Sequence, residues 1–263
     1  SRGRIVKMMG RDFISGAKKV GRVSGLLALV LVCAPMMAQA DDAEIKYPKD
    51  WWDPMILAEY AKGPGYLSKE TVFEVTPHPT NAEAIKTEIP YLEEISKTER
   101  SDETIQLILK ENRNILLVPF MDDGLFDSEK NPLAFQMLMK SDKDAAYFVL
   151  DLKQKIERAR PSQLDPNLKL VIDNPGHAAY PSGHSTQSWL IARILSGLDP
   201  EHKDAYENES KAIAHRREIA GVHYPSDSAA GREPSAQIYE ELQKNSDFKK
   251  DFEAAKAAFV ASI

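Results

Sequence analysis

Apolar residues from Ser101 onward recur at three- and four-residue spacings, and no stretch of useful length alternates with period two. That pattern predicts helices throughout. The first covers "SDETIQLILKENRNILLV", opening on a capping-type cluster and stopping at Pro119. A short helix follows over "NPLAFQMLMK". A longer one over "DKDAAYFVLDLKQKIERARP" puts Phe148, Val149, Leu152 and Ile156 on one face and ends at Pro161. After a long loop, 162–180, "STQSWLIARILSGLDP" carries a stripe of Leu190, Ile191, Ile194, Leu195 and Leu198. "EHKDAYENESKAIAHRREIAG" is the next helix and stops at Gly221, a residue suited to a helix end. Pro225 suits the first turn of another. "DFKKDFEAAKAAFV" closes the chain with Phe248, Phe252, Ala255 and Phe259. Residues 41–100 are rich in proline and glycine and predict an irregular arm with short helices, in which Trp51 and Trp52 are packing anchors and His78 is a loop histidine. The fold class is all-α, a single-domain helical bundle.

The first forty residues break the pattern. Seven basic residues and one acid precede the apolar run "LLALVLVCAP", and "AQA" at Ala38–Ala40 follows it. A basic region, a short apolar region and an A-x-A end predict a secretory signal peptide cleaved after Ala40. The run is far short of the ~20 residues a membrane span needs. The organisation expected is therefore a signal peptide over 1–40, the arm over 41–100 packed on the core, and a catalytic helical domain over 101–263, in the periplasm. The chain has 34 basic and 40 acidic residues, so residues 41–263 retain 27 and 39, a net charge of −12. Such a balance argues against nucleic acid and anionic membrane surfaces as partners. The single cysteine, Cys33, lies in the predicted signal, so the exported chain has no disulfide and depends on its core. The acidic loop "DDGLFDSEKNP" lacks the spacing of a calcium loop.

Chemistry concentrates in three places. Lys153 and Arg160 are seven positions apart, about 20° around a helix and two turns along it, and flank the apolar stripe. They read either as cations reaching for solvent or as a pair facing an anion. Arg217 shares a helical face with Tyr206, Ile213 and Ala220, so its guanidinium sits in the apolar register and needs a carboxylate or an anionic ligand. In "HYPSD", His223 falls in the turn after Gly221 and Asp227 in the first turn of the next helix. A carboxylate there accepts a hydrogen bond from one imidazole nitrogen and leaves the other with a free lone pair, the arrangement of a base, a nucleophile or a metal ligand. Finally, "PSGHS" places Ser182 and Gly183 at a helix start, where a hydroxyl and unpaired N–H groups make an oxyanion site, with His184 beside it.

In order these read K-x6-R-P from Lys153 to Pro161, P-S-G-H from Pro181 to His184, and R-x5-H-x3-D from Arg217 to Asp227. This three-part signature resembles that of the phosphatidic acid phosphatase type 2 superfamily, and within it the class A bacterial non-specific acid phosphatases. "PSGHSTQSW" and the terminal "FKKDFEAAKAAF" strengthen the narrower likeness, which is firm over about 100–263 and thin over 41–100. The family's third motif usually reads Ser-Arg, whereas Arg216 precedes Arg217 here, at the rim of the site or facing solvent.

The resemblance implies a helical fold of the phosphatase and vanadium haloperoxidase type and a metal-independent acid phosphatase with no cofactor. Lys153, Arg160 and Arg217 would neutralise the phosphoryl oxygens, with Ser182 and the Gly183 N–H completing the cradle. His223 would attack phosphorus to give a phosphohistidine, Asp227 would orient it, and His184 would protonate the leaving oxygen and then activate water. Small phosphate monoesters are the implied partners, transfer to alcohols is a further expectation, and the resemblance points to a homo-oligomer. With His223 neutral and His184 protonated, around an unperturbed imidazole value near ~6.5, a bell-shaped profile on the acid side is expected. Loop 162–179, His177 included, is expected to line the pocket. The alternatives are a vanadate-dependent haloperoxidase, a lipid phosphate phosphatase, and a protein that binds phosphate without turning it over.

Overall fold

The computed structural model describes residues 44–263; the predicted signal peptide lies outside them. The hydrophobic stripes fold into helices α1 (Pro54–Lys62), α2 (Asn81–Thr98), α3 (Asp102–Glu111), α4 (Val118–Asp122), α5 (Pro132–Ile156), α6 (Pro161–Leu164), α7 (Gly183–Leu198), α8 (Lys203–Ile219), α9 (Pro225–Ala230), α10 (Arg232–Leu242) and α11 (Ser246–Ala258). Among the described residues there is no strand, only an isolated bridge between Lys46 and Arg158. The all-α expectation therefore holds.

The centre of the bundle is α7. It is buried on nearly every side because α5, α8 and α10 all pack on it. Leu190, Ile191, Ile194 and Leu195 from α7 meet Phe148 of α5, Ile213 of α8, Ile238 of α10 and Phe248 of α11 in the main core. A second cluster joins Leu92 and Ile95 of α2 and Ile108 of α3 to Ile219, Val222 and Tyr224. Tyr47, Trp52 and Ala178 form a third, with Ile56 and Leu150 against it. These layers leave the end of α5, the start of α7 and the α8–α9 turn side by side. No helix among the described residues is long and apolar enough to cross a membrane.

Five expectations are corrected. The two helices expected over 131–161 are one helix of 25 residues, α5, since nothing between Lys140 and Asp144 breaks it. That helix stops at Ile156, because Glu157 turns left-handed (φ 58°), so Arg160 stands beyond it in extended backbone and the helical phase relation to Lys153 does not apply. The helix begun at Asp102 ends at Glu111, and Pro119 opens α4 rather than ending α3. The arm holds an 18-residue helix, α2, started by a Thr80–Glu83 capping box. Its Pro90 lies on the exposed face, where the loss of one helical hydrogen bond costs least. Of the two tryptophans, Trp52 is the packing anchor, while Trp51 is 57% exposed.

Candidate active site

The end of α5 supplies the first cation. Lys153 is fully buried, and its Nζ donates to the carbonyls of Ala178 (2.8 Å) and Ala179 (2.7 Å). The left-handed turn at Glu157 then reverses the chain, and the extended run that follows sends Arg158 and Arg160 inward. The Arg160 guanidinium spreads over three carbonyls, those of His177, Ala178 and Val222. Its NH1 also donates to His223 Nε2 at 3.1 Å and its NH2 to His177 Nδ1 at 3.0 Å. Both cations are therefore built into the interior, and the solvent-seeking reading fails.

The third motif forms where α8 ends. Gly221 adopts φ +80°, and a Cβ there would stand 2.9 Å from Leu170. The left-handed residue turns the chain off α8 so that His223 enters the interior. Its Nδ1 donates to Asp227 Oδ2 at 2.8 Å, and the same oxygen accepts the Tyr224 N–H at 3.1 Å. Since Arg160 can only donate, Nε2 of His223 must be the acceptor. The ring is thus the Nδ1–H tautomer with its lone pair on Nε2.

At the start of α7, Ser182 is the N-cap; its Oγ accepts the Ser185 N–H at 3.3 Å, and its own N–H donates to the Asp227 carbonyl at 3.0 Å. That second bond ties the second motif to the third. Gly183 and His184 occupy the first turn, whose N–H groups have no helical acceptor. A Cβ on Gly183 would lie 3.8 Å from Val149 Cγ1 and 4.0 Å from Lys153 Cε, ordinary contact distances, in the space above the lysine.

A cavity of about 480 Å³ opens over this convergence, with Lys153, Gly183, His184, Arg217 and His223 at its base and His177 on its wall. Arg160 lies just beneath, and Ser182 sits behind as a cap rather than on the wall. Arg217 is buried, yet its Nε and NH1 have no hydrogen-bond partner, and neither does His184 Nε2.

The electrostatics follow from crowding cations in a dry site. Burial, then Arg160, hold Lys153 well below its ordinary value. Burial lowers Arg160 to about 10, with Asp227 opposing, and burial together with Arg160 lowers Arg217 to about 9. His223 is pushed well below 6.5 by burial and then by Arg160 and Lys153. His184 is pushed down likewise, by burial first and Arg217 second. Both imidazoles are therefore neutral near pH 7 in the unliganded protein, which revises the expectation of ordinary values.

Sequence reasoning missed two buried side chains. Arg158 donates from NH1 to Asp227 Oδ1 (2.6 Å) and from NH2 to Glu88 Oε2 (2.8 Å), with its guanidinium 3.9 Å from the Tyr224 ring. Burial works against its charge, but Asp227 and Glu88 outweigh that, and its pKa rises. Glu88 comes from α2, inside the Pro-rich arm, and its Oε1 also accepts the Ser226 N–H. The Arg-Ala-Arg spacing would have shown Arg158 once the helix was ended before Pro161. Nothing local signals Glu88. Arg216 is neither at the rim nor in solvent: it pairs with Glu111 (2.5 Å) and Glu209 (2.7 Å), bracing α3 and α8. Of these partners, burial raises Glu209 to about 7.

No family model matches the chain. A non-specific acid phosphatase of Providencia stuartii is 32% identical over 83 residues, 32% of this chain and 34% of that one. An acid phosphatase of Zymomonas mobilis is 33% identical over 78 residues, 30% of each. The chain thus spans about a third of the length of these curated relatives. Among solved structures, a bacterial vanadium-dependent iodoperoxidase shares the fold, with a TM-score of 0.52 at 16% identity over 67% of this chain and 52% of that one. With three motifs converging on one buried cationic cavity, the chain is similar in sequence to acid phosphatases over about a third of its length and shares an all-α fold with the haloperoxidase.

Proposed function

We propose that the protein is an acid phosphatase that hydrolyses phosphate monoesters through a phosphohistidine. The observation that carries this reading is the charge imbalance of the cavity base. Lys153, Arg160 and Arg217 converge there, while the one carboxylate on His223, Asp227, is already shared with Arg158. Buried cations need anions, and Arg217 keeps two donors free. A phosphoryl group supplies the missing charge, and preorganised donors of this kind usually contribute most of the rate acceleration in its transfer.

In the first step His223 Nε2 attacks phosphorus, the N–P bond forms and the bond to the ester oxygen breaks. His184 gives that oxygen its proton. Asp227 holds Nδ1–H and supports the ring as it becomes cationic. In the second step His184 takes a proton from water, the water oxygen bonds to phosphorus, the N–P bond breaks and phosphate leaves. The depressed value of His223 keeps it neutral and nucleophilic under mildly acidic conditions. The value of His184 means that the bound phosphoryl group, by adding negative charge beside it, must raise it for acid catalysis. Export to the periplasm belongs to the same reading and rests on the pattern of residues 1–40.

The test is release of p-nitrophenol from p-nitrophenyl phosphate between pH 4 and 9 in the presence of EDTA, with base-stable, acid-labile phosphate trapped on the enzyme by rapid quench. His223→Ala is expected to abolish both turnover and labelling while inorganic phosphate still binds. Wild-type turnover without a trapped phosphoenzyme, or a flat pH profile, contradicts the mechanism.

A further inference from the structure

The cavity is far larger than a phosphoryl group, and its chemistry changes sharply away from the base. On α5 the face that carries Lys153 continues through Val149, Leu150 and Ala146, one and two turns back along the helix. Seven residues of helix rise amount to roughly 10 Å. Opposite stands α1, a helix with no buried residue although its sequence, "PMILAEYAK", is largely apolar. Its Met55 is 77% exposed and lines the cavity, as does Ile56, which also packs against the small Tyr47–Trp52–Ala178 cluster. The helix is held at this rim by its own anchors. Tyr60 stacks on Tyr147 with centroids 4.7 Å apart, and its hydroxyl donates to Asp151 at 3.2 Å. Among the residues that line the cavity, the cations are confined to the base, whereas Asp53 and Glu59 are the charges on the α1 side.

We propose that the trough between α1 and α5 is a leaving-group subsite for an extended apolar alcohol without a second anionic group. This rests on the phosphatase reading of the base. An ester held by its phosphoryl group on Lys153 and Arg217 has its leaving oxygen in the cavity that His184 and His223 both line, so the alcohol runs along the apolar wall. Burial of each methylene there favours the longer chain, and the two carboxylates oppose a distal negative charge.

The experiment compares ethyl phosphate, n-octyl phosphate below its micelle concentration, and an ω-carboxyoctyl phosphate. These leaving alcohols have closely similar acidity, so kcat/KM reports the subsite rather than the chemistry. Octyl phosphate is expected to exceed ethyl phosphate by about 10-fold or more, mostly in KM. The ω-carboxylate should be about 3–10-fold poorer than octyl, a deficit that Glu59→Gln reduces. Ala146→Leu, which narrows the trough on a helix it should not disturb, should lower the octyl-to-ethyl ratio. Equal kcat/KM for ethyl and octyl phosphate overturns the subsite and leaves the phosphatase reading intact. No hydrolysis of ethyl or p-nitrophenyl phosphate overturns both. A preference for the ω-carboxylate over octyl would also overturn the proposal.

Discussion

Arg158 provides the sharpest test of how the site is held together. Its guanidinium bridges Asp227 at 2.6 Å and Glu88 at 2.8 Å, and all three side chains are at least nine-tenths buried. At an effective dielectric near 20, unit charges about 4 Å apart interact by about 4 kcal/mol. Desolvation offsets much of that in the intact pair, but removing one partner leaves a buried charge uncompensated and costs roughly 3–5 kcal/mol. Arg158→Met, which keeps bulk and removes charge, is therefore expected to lower unfolding free energy by about 3–5 kcal/mol in urea denaturation at pH 7. Because Asp227 then keeps only His223 and the Tyr224 amide as partners, kcat should fall by about 10–100-fold, a partial loss of the orientation that the carboxylate supplies. A double-mutant cycle isolates the α2 link. Glu88→Gln should cost at least about 1 kcal/mol less in the Arg158→Met background than in the wild type, since there it removes an already unpaired charge. Arg158→Lys should fall between, as a single ammonium cannot reach both carboxylates in the same geometry. If Arg158→Met costs under about 1 kcal/mol, or Glu88→Gln costs the same in both backgrounds, the bridge does not hold the site together.

Three further outcomes follow from the geometry. In Gly183→Ala the new methyl meets the protein only at 3.8–4.0 Å, so thermal stability should hold, while it intrudes on an anion above Lys153 and should raise the p-nitrophenyl phosphate KM by about 10-fold or more; an unchanged KM would place the phosphoryl group elsewhere. Because a bound phosphoryl group raises His184 from its depressed value, the alkaline limb should lie at higher pH in kcat than in kcat/KM, and coincident limbs would remove His184 as the acid. His177, His184 and His223 all bind protons more weakly folded than unfolded, so unliganded stability should decline as pH drops below the ordinary 6.5 and continue declining toward the depressed folded values. The urea midpoint of the unliganded protein should therefore be lower at pH 5.5 than at pH 7.5, and an equal or higher midpoint at pH 5.5 would contradict the sign.

The sequence by itself determined the helical class, which polar side chains gather at the cavity and much of their local setting. Helical periodicity is a local property, and so is the capping that puts Ser182 at the start of α7 and Asp227 in the first turn of α9. A motif read in chain order thus named Lys153, Arg160, His184, Arg217, His223 and Asp227, which the fold brings to one cavity. Tertiary structure decided what local rules cannot encode. A left-handed Glu157, stabilised among ion pairs with Lys46 and Lys49, ends α5 four residues early and turns Arg158 and Arg160 inward. Burial beside neighbouring cations lowers the pKa of both His184 and His223, an effect that depends on charges distant in sequence. Glu88 reaches the site from a segment with no motif, and α1 becomes a cavity wall through Tyr60 docked on Tyr147 and Ile56 packed against the Trp52 cluster. Each of these depends on packing between elements far apart in the chain, where energy is set by distance in space and not by spacing in sequence.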